Sequence, residues 1–296
     1  MRTDLPTGIT LDQGHGGLPR LSVATVPCTA EVYLHGAHLC RWQPRGQAQP
    51  VLWMSRASRF EAGAPIRGGV PICFPWFGPK AGDPSVPVHG VARISPWTLV
   101  RAEVEPDGTA VIVLSLASNA APQPAAPQAF TLTFTARLGE SLSMALTAAN
   151  TGQTPLTFEE ALHTYFAVSD VRRVSVDGLA GATFIDKTDA GARKTQDAAP
   201  IAIVAETDRL YLNTSAPVTL ADPGFGRRII VSKTGSLASV VWNPWVAKSR
   251  AMPDFGDDEW PGMICIETAN AADHAITLQP GGAHTMTADI SVDALR

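Results

Sequence analysis

The sequence predicts an all-β protein of stacked, mostly antiparallel sheets with few short helices, and three observations carry that expectation. Short segments of alternating apolar and polar residues recur along the 296-residue chain, as in Phe130-Thr131-Leu132-Thr133-Phe134-Thr135. A period of two places one face of such a segment against a core. The 25 Gly and 24 Pro are spread throughout instead of being pooled in a linker, which punctuates the chain into many short elements. Helical periodicity is scarce.

Leu21–Val26 and Glu31–Trp42 are the first expected strands. Trp97–Val104 and Ala110–Leu116 flank Pro106-Asp107-Gly108, a hairpin turn, and Phe130–Thr135 pairs with Leu142–Met144 across Leu138-Gly139-Glu140. Further strands are expected at Leu156–Val168, Val218–Ala221, Arg228–Ser232, Ala238–Trp242, Met263–Thr268, Ala275–Leu278 and Thr285–Val292. Roughly fourteen strands require stacked sheets. Ala62–Val88, Asp177–Ala199 and Asn243–Pro261 are long irregular stretches of the kind that carry function, and Ala120–Gln128 reads as an exposed connector. The whole chain, 1–296, is expected to form one domain.

Hydrophobic content of 45% against 17% charged residues suffices for a large core. The net charge of -4 comes without a basic or acidic run, which argues against nucleic-acid and membrane-surface partners and leaves room for a small anionic ligand. No run of ~18 apolar residues could span a bilayer. The N-terminal stretch lacks an apolar signal region, and Cys28, Cys40, Cys73 and Cys265 read as reduced, buried thiols, so a cytoplasmic protein is expected. A monomer is expected, with a dimer also compatible.

Val241–Asn270 is the densest stretch, with three Trp and an acidic cluster ahead of Met263-Ile264-Cys265-Ile266-Glu267. Strand geometry sends both isoleucines to one face and Glu267 to the other, beside Cys265 and Met263. A carboxylate held against packed side chains has a tunable pKa. In Leu156–Val168, the same alternation groups Glu159, Ala161, His163 and Tyr165 on one face. Taken alone, either residue is more often a structural partner than a catalyst.

Arg67 leads into Gly68-Gly69 and then Phe74-Pro75-Trp76-Phe77-Gly78, a loop able to hold a flat ligand or simply to cap the core. The two glycines are expected to leave space for a bulky anion beside Arg67. Arg93, in His89-Gly90-Val91-Ala92-Arg93, could join it in an anion site, because planar guanidinium forks match phosphate. A salt bridge to Asp83 or Glu61 is the alternative for either arginine. His89 could donate to a hydroxyl or pin its turn.

No metal is expected. His35 and His38 would point to opposite faces of one strand, and Asp254, Asp257, Asp258 and Glu259 lack calcium-loop spacing and read as a solvated acidic turn. No phosphate-cradling or nucleophile motif is present, so no cofactor is expected.

Five segments taken in order, Arg67–Gly78, His89–Arg93, Ala161–Phe166, Thr207-Asp208-Arg209 and Trp242 to Glu267, make the chain resemble the hexose-6-phosphate mutarotases (glucose-6-phosphate 1-epimerases) of the aldose 1-epimerase superfamily over most of its length. The resemblance implies a galactose mutarotase-like β-supersandwich whose concave face interconverts α and β anomers of a sugar phosphate. It implies Glu267 as general base and His163 as general acid. Arg67 and Arg93 would contact phosphate, Asp208 and His89 hydroxyls, and Lys248 would be a further ligand unless an ion pair with a nearby Asp explains it. Two positions depart from the family pattern: Val91 stands where Phe is common, and Val88 where some members carry Gln. The competing readings are a mutarotase of unphosphorylated aldoses and a non-catalytic carbohydrate-binding sandwich in which Trp76, Trp245 and Trp260 stack sugars.

Overall fold

The computed structural model describes residues 5–120 and 128–295. Most of the connector expected at Ala120–Gln128 therefore lies outside the described residues. Two large sheets dominate. A nine-stranded sheet runs Ile201–Ala202, Ser175–Asp177, Val218–Asp222, Arg227–Thr234, Ala283–Ala294, Leu142–Asn150, Phe130–Leu138, Ala110–Ala117 and Thr98–Val104. An eight-stranded sheet runs Ala192–Thr195, Thr183–Asp186, Thr207–Leu212, Ala238–Asn243, Met263–Asn270, Glu160–Leu162 and Ile72–Cys73, with Tyr165–Ala167 also pairing to Met263–Asn270. A four-stranded meander, Ile9–Gln13 to His38–Pro44, and a two-stranded ribbon complete the architecture. All the strand pairings among the described residues are antiparallel, as the reading of stacked, mostly antiparallel sheets requires.

Both expected hairpins form, joining Thr98–Val104 to Ala110–Ala117 and Phe130–Leu138 to Leu142–Asn150. In the second, buried residues alternate strictly along both strands, because one face meets the core and the other meets water. The apolar face of this sheet packs against Ile264 and Ile266 of the other large sheet in one continuous core. Phe74 packs between Phe130 of the nine-stranded sheet and Phe158 of the two-stranded ribbon, its ring 4.9 Å from each.

Several boundaries differ from the expectation. Glu31–Trp42 is two strands, Cys28–Tyr33 and His38–Pro44, separated by a turn in which Gly36 adopts φ +73°. His35 and His38 are thus not on one strand: their Nε2 atoms donate to the Ala64 and Gly68 carbonyls, tying loops to the meander. Leu156–Val168 is broken into Leu156–Phe158, Glu160–Leu162 and Tyr165–Ala167. The break occurs where the His163 amide turns to donate to the Pro71 carbonyl. Asp177–Ala199 contains the strands Thr183–Asp186 and Ala192–Thr195, and Asn243–Pro261 contains the helix Trp245–Ala251. No helix among the described residues is long and apolar enough to cross a membrane.

Candidate active site

The site is built on Met263–Asn270, a strand whose eight residues are all buried. Ile264 and Ile266 point into the main core, while Met263 and Cys265 join Trp242, Tyr165 and Ala161 in a second cluster on the opposite face. Glu267 emerges on that second face, as its alternation with Cys265 demands. His163, at the break between two short strands, lies with Nε2 3.2 Å from Glu267 Oε1. Its ring stacks on Tyr165, with centroids 4.8 Å apart, and meets Trp242 and His89 edge-on. His163 Nδ1 and Glu267 Oε2 are buried and have no hydrogen-bond partner among the described residues.

A cavity of about 410 Å³ opens over this pair, and Arg67, His89, Arg93, Lys187, Asp208 and Lys248 contribute to its wall. Every residue to which the resemblance assigns a site role therefore reaches one cavity. A larger cavity of about 600 Å³, near Tyr33 and Phe60, contains none of them.

The two arginines are held differently. Arg67 makes a forked contact to Asp254, with Nη2 3.1 Å from each oxygen, and donates through Nη1 to the Tyr165 hydroxyl at 2.9 Å. Burial works against its charge, but Tyr165 and Asp254 outweigh burial and keep the guanidinium protonated. Arg93 is buried, donates to the Val88 carbonyl at 2.7 Å, and leaves Nε without a partner among the described residues. Neither arginine pairs with Asp83 or Glu61.

Gly68 and Gly69 do not hold space open for an anion. A Cβ on Gly68 would lie 2.5 Å from the Trp53 carbonyl oxygen, and one on Gly69 2.3 Å from that of Leu39. They let the Arg67 loop pack directly on neighbouring backbone. The acidic turn also departs from expectation. Asp254 and Glu259 are buried, the first on Arg67 and the second accepting from Ser55, the Arg56 amide and the Gly256 amide. Only Asp257 and Asp258 are exposed as a solvated turn requires.

His89 accepts from the Gly78 amide through Nδ1 at 3.0 Å, which assigns its proton to Nε2 when the ring is neutral. Burial first, and Arg93 second, hold its pKa well below the usual histidine value, so it stands as a neutral donor. Asp208 lies between two ammonium groups, 3.8 Å from Lys187 and 3.6 Å from Lys248. Lys248 reaches Glu206 at 3.1 Å as well, so the ion-pair account of this lysine describes its geometry.

Burial dominates the central pair. It pushes the His163 pKa well down, assisted by the positive charges of Arg93 and Arg67, and it pushes the Glu267 pKa well up despite the opposing charge of Lys187. Burial thus disfavours charge on both members of the pair. A pair able to exchange one proton between two positions can serve any reaction that removes a proton from one atom and supplies one to another.

Lys187 was missed from sequence because it sits in the Asp177–Ala199 stretch, where no motif surrounds it. Its amide donates to the Asp208 carbonyl, and its ammonium lies 4.4 Å from the Phe77 ring centroid. Trp242 is the tryptophan that lines this cavity. Trp76 borders another cavity, while Trp245 and Trp260 pack on each other with centroids 4.2 Å apart. Val91 is fully buried and Val88 lies on the cavity wall, so of the two departures only the second touches the site.

The family model described as aldose 1-epimerase matches residues 21–291. An Escherichia coli (strain K12) protein named "Putative glucose-6-phosphate 1-epimerase" is 38% identical over 244 residues, which is 82% of this chain and 80% of that one. A Cenchrus ciliaris protein of the same name is 34% identical over 262 residues, covering 86% and 78%. A solved structure from Salmonella typhimurium, described as "a putative mutarotase", superposes with a TM-score of 0.89 at 31% identity, over 98% of this chain and 95% of that one.

Proposed function

The chain belongs to the aldose 1-epimerase family, and on that premise we propose that it interconverts the α and β anomers of a hexose 6-phosphate, D-glucose 6-phosphate first among them. One observation carries the reading: the buried His163–Glu267 contact at 3.2 Å lies in a cavity that also presents Arg67 and Arg93.

Mutarotation removes the proton from O1 and supplies one to the ring oxygen O5, so that the C1–O5 bond breaks and the aldehyde forms. Rotation about C1–C2 and the reverse transfers close the ring with the other configuration. Glu267 as carboxylate takes the O1 proton, and His163 as imidazolium gives its proton to O5. Each positioned group contributes about 10²–10⁴-fold. The pair begins this step with one exchangeable proton, on His163, and ends it with one, on Glu267. No charge is created or lost within the protein.

In the free site burial disfavours that charged arrangement. Arg93 and Arg67 are the charges that, after burial, oppose protonation of His163. A phosphate dianion bound to them offsets that opposition, so the phosphorylated sugar itself favours the imidazolium form of His163. Phosphate is then expected to raise turnover as well as affinity, which is binding energy realised at the reacting centre. His89 and Asp208 are assigned to hydroxyl groups of the sugar, and Lys248 to the rim.

A second reading, a mutarotase of unphosphorylated aldoses, draws on the commitment of Arg67 to Asp254 and Tyr165. Saturation-transfer NMR of anomer exchange, run on glucose 6-phosphate and on glucose, separates the two. Faster exchange of the phosphate ester supports the proposal, and equal rates support the second reading. Binding of either sugar without accelerated exchange would leave only a carbohydrate-binding role.

A further inference from the structure

Acid–base chemistry at this site makes no use of Cys265, yet its thiol shares the cluster. A ring nitrogen of His163, the Cys265 sulfur and a Glu267 oxygen all lie within 4.8 Å of one another, and all three residues are buried. This is the one such His/Cys/Asp/Glu group among the described residues. We propose that His163, Cys265 and Glu267 form a site for a thiophilic divalent cation, zinc above all, which binds in place of sugar and inhibits the enzyme. The inhibition rests on the roles given above to His163 and Glu267, whereas the binding does not.

Zinc takes thiolate, imidazole and carboxylate ligands, commonly three from the protein with the fourth position open. Nitrogen and oxygen atoms bound at about 2.0–2.1 Å to a tetrahedral zinc lie roughly 3.3 Å apart. The His163–Glu267 contact, at 3.2 Å, already has that spacing. Cys265 and Glu267 are two residues apart on one strand and so share a face, while His163 approaches from the neighbouring chain segment. The Cys265 sulfur lies within 4.8 Å of both partners but is fully buried and does not line the cavity. Glu267 Oε2, buried without a partner among the described residues, is coordinating capacity that the protein leaves unused here.

The charges also balance. Zinc would expel the thiol proton and the proton held by the pair, and the thiolate and carboxylate would then neutralise its two positive charges. Arg67 and Arg93 share the cavity and disfavour any cation, which makes the site one of reversible occupation. A zinc ion there would hold both proton-transfer groups at once, so neither could serve the sugar.

Cobalt(II) is the probe, because a thiolate ligand gives it a charge-transfer band in the near ultraviolet that carboxylate or imidazole ligands do not. The full-length protein titrated with cobalt is expected to develop this band and to lose it on addition of zinc. Cys265→Ala should abolish the band and weaken zinc inhibition of anomer exchange at least about 100-fold, beyond the roughly 10–100-fold that loss of an outer-shell partner costs. Its uninhibited exchange rate should stay near that of the wild type. If alanine impairs folding, Cys265→Ser keeps the side-chain shape, and Glu267→Gln offers an independent loss of a ligand. Absence of the band in the wild-type protein, or its persistence in folded Cys265→Ala, overturns the site. A band that responds to zinc in a protein without exchange activity would uphold the metal site while refuting the proposed reaction.

Discussion

Two histidine–glutamate pairs in this molecule have the same separation and opposite behaviour. His163 lies 3.2 Å from Glu267, and His284 lies 3.2 Å from Glu160. The His284 pKa is raised, first by its hydrogen bond to Glu160. That of His163 is pushed well down by burial, with Arg93 and Arg67 adding to the effect. His284 keeps part of its ring in water and also contacts the Gly235 carbonyl at 2.9 Å, while Asn270 donates to Glu160 at 2.9 Å. The His163 pair has no such support: Glu160 and Glu267 each leave Oε2 without a partner among the described residues, but only in the His163 pair is a buried ring nitrogen unpaired as well. Distance alone does not define an ion pair: hydration and the remaining hydrogen bonds decide whether charge is stable there. On the proposed function, the supported pair holds structure and the unsupported one moves a proton.

The comparison is tested most severely by activity. Glu267→Gln or His163→Ala is expected to slow anomer exchange by about 10²–10⁴-fold, whereas Glu160→Ala should leave the rate per folded molecule within about 3-fold. NMR exchange on purified proteins measures both, and near-wild-type exchange by either site variant would end the assignment. The wild-type rate should follow a bell-shaped pH profile, because one group must be ionised and the other protonated.

Next in size is the arginine effect. Arg93→Ala is expected to weaken glucose 6-phosphate binding about 10–100-fold, from a charge-assisted hydrogen bond of about 1.5–3 kcal/mol. Glucose should be affected far less, and equal losses on both sugars in a titration would remove the phosphate role. Arg67→Ala should behave likewise and also destabilise the fold, because it strips buried Asp254 of its partner.

Stability should rank the two glutamates in reverse. Glu160→Ala is expected to cost about 1–3 kcal/mol in chemical denaturation, since Asn270 and His284 lose their acceptor. Glu267→Gln should instead stabilise the protein at pH 7 by at least about 1 kcal/mol, a rise in Tm of roughly 2–4 °C. The sign follows from linkage. A carboxyl whose folded pKa is raised stays protonated while the unfolded chain ionises, so stability falls as pH rises above about 4.5. Gln lacks that penalty, and its advantage should vanish below that pH.

The smallest effect belongs to His284. Its raised pKa means that its contribution is complete below about pH 6.5 and is lost as pH rises through the folded value. Melting of wild type and His284→Gln should therefore differ most in mild acid, by about 1 kcal/mol or less, and converge at alkaline pH.

Much of the fold was legible where one face of a strand meets water. The Phe130–Leu138 and Leu142–Asn150 hairpin alternates in sequence because it alternates in burial. The eight-stranded sheet was harder to read. Ala238–Trp242 and Met263–Thr268 were expected as strands, whereas Thr183–Asp186 and Thr207–Leu212, the second of which carries Asp208 into the cavity wall, were not. There the alternation that marks a strand is overwritten by the needs of the site.

The sequence by itself determined the strand-rich class, the two hairpins, the face on which Glu267 emerges, and the set of polar residues from Arg67 to Glu267, because these depend on local periodicity and on recurring segments. Only the tertiary structure decided that His163 meets Glu267 at 3.2 Å, that Asp254 occupies Arg67, that Lys187 joins the cavity, and that Cys265 lies beside the proton-transfer pair. Those relations join residues as far as 187 positions apart. Their chemistry comes from shared burial, which no local stretch of sequence encodes.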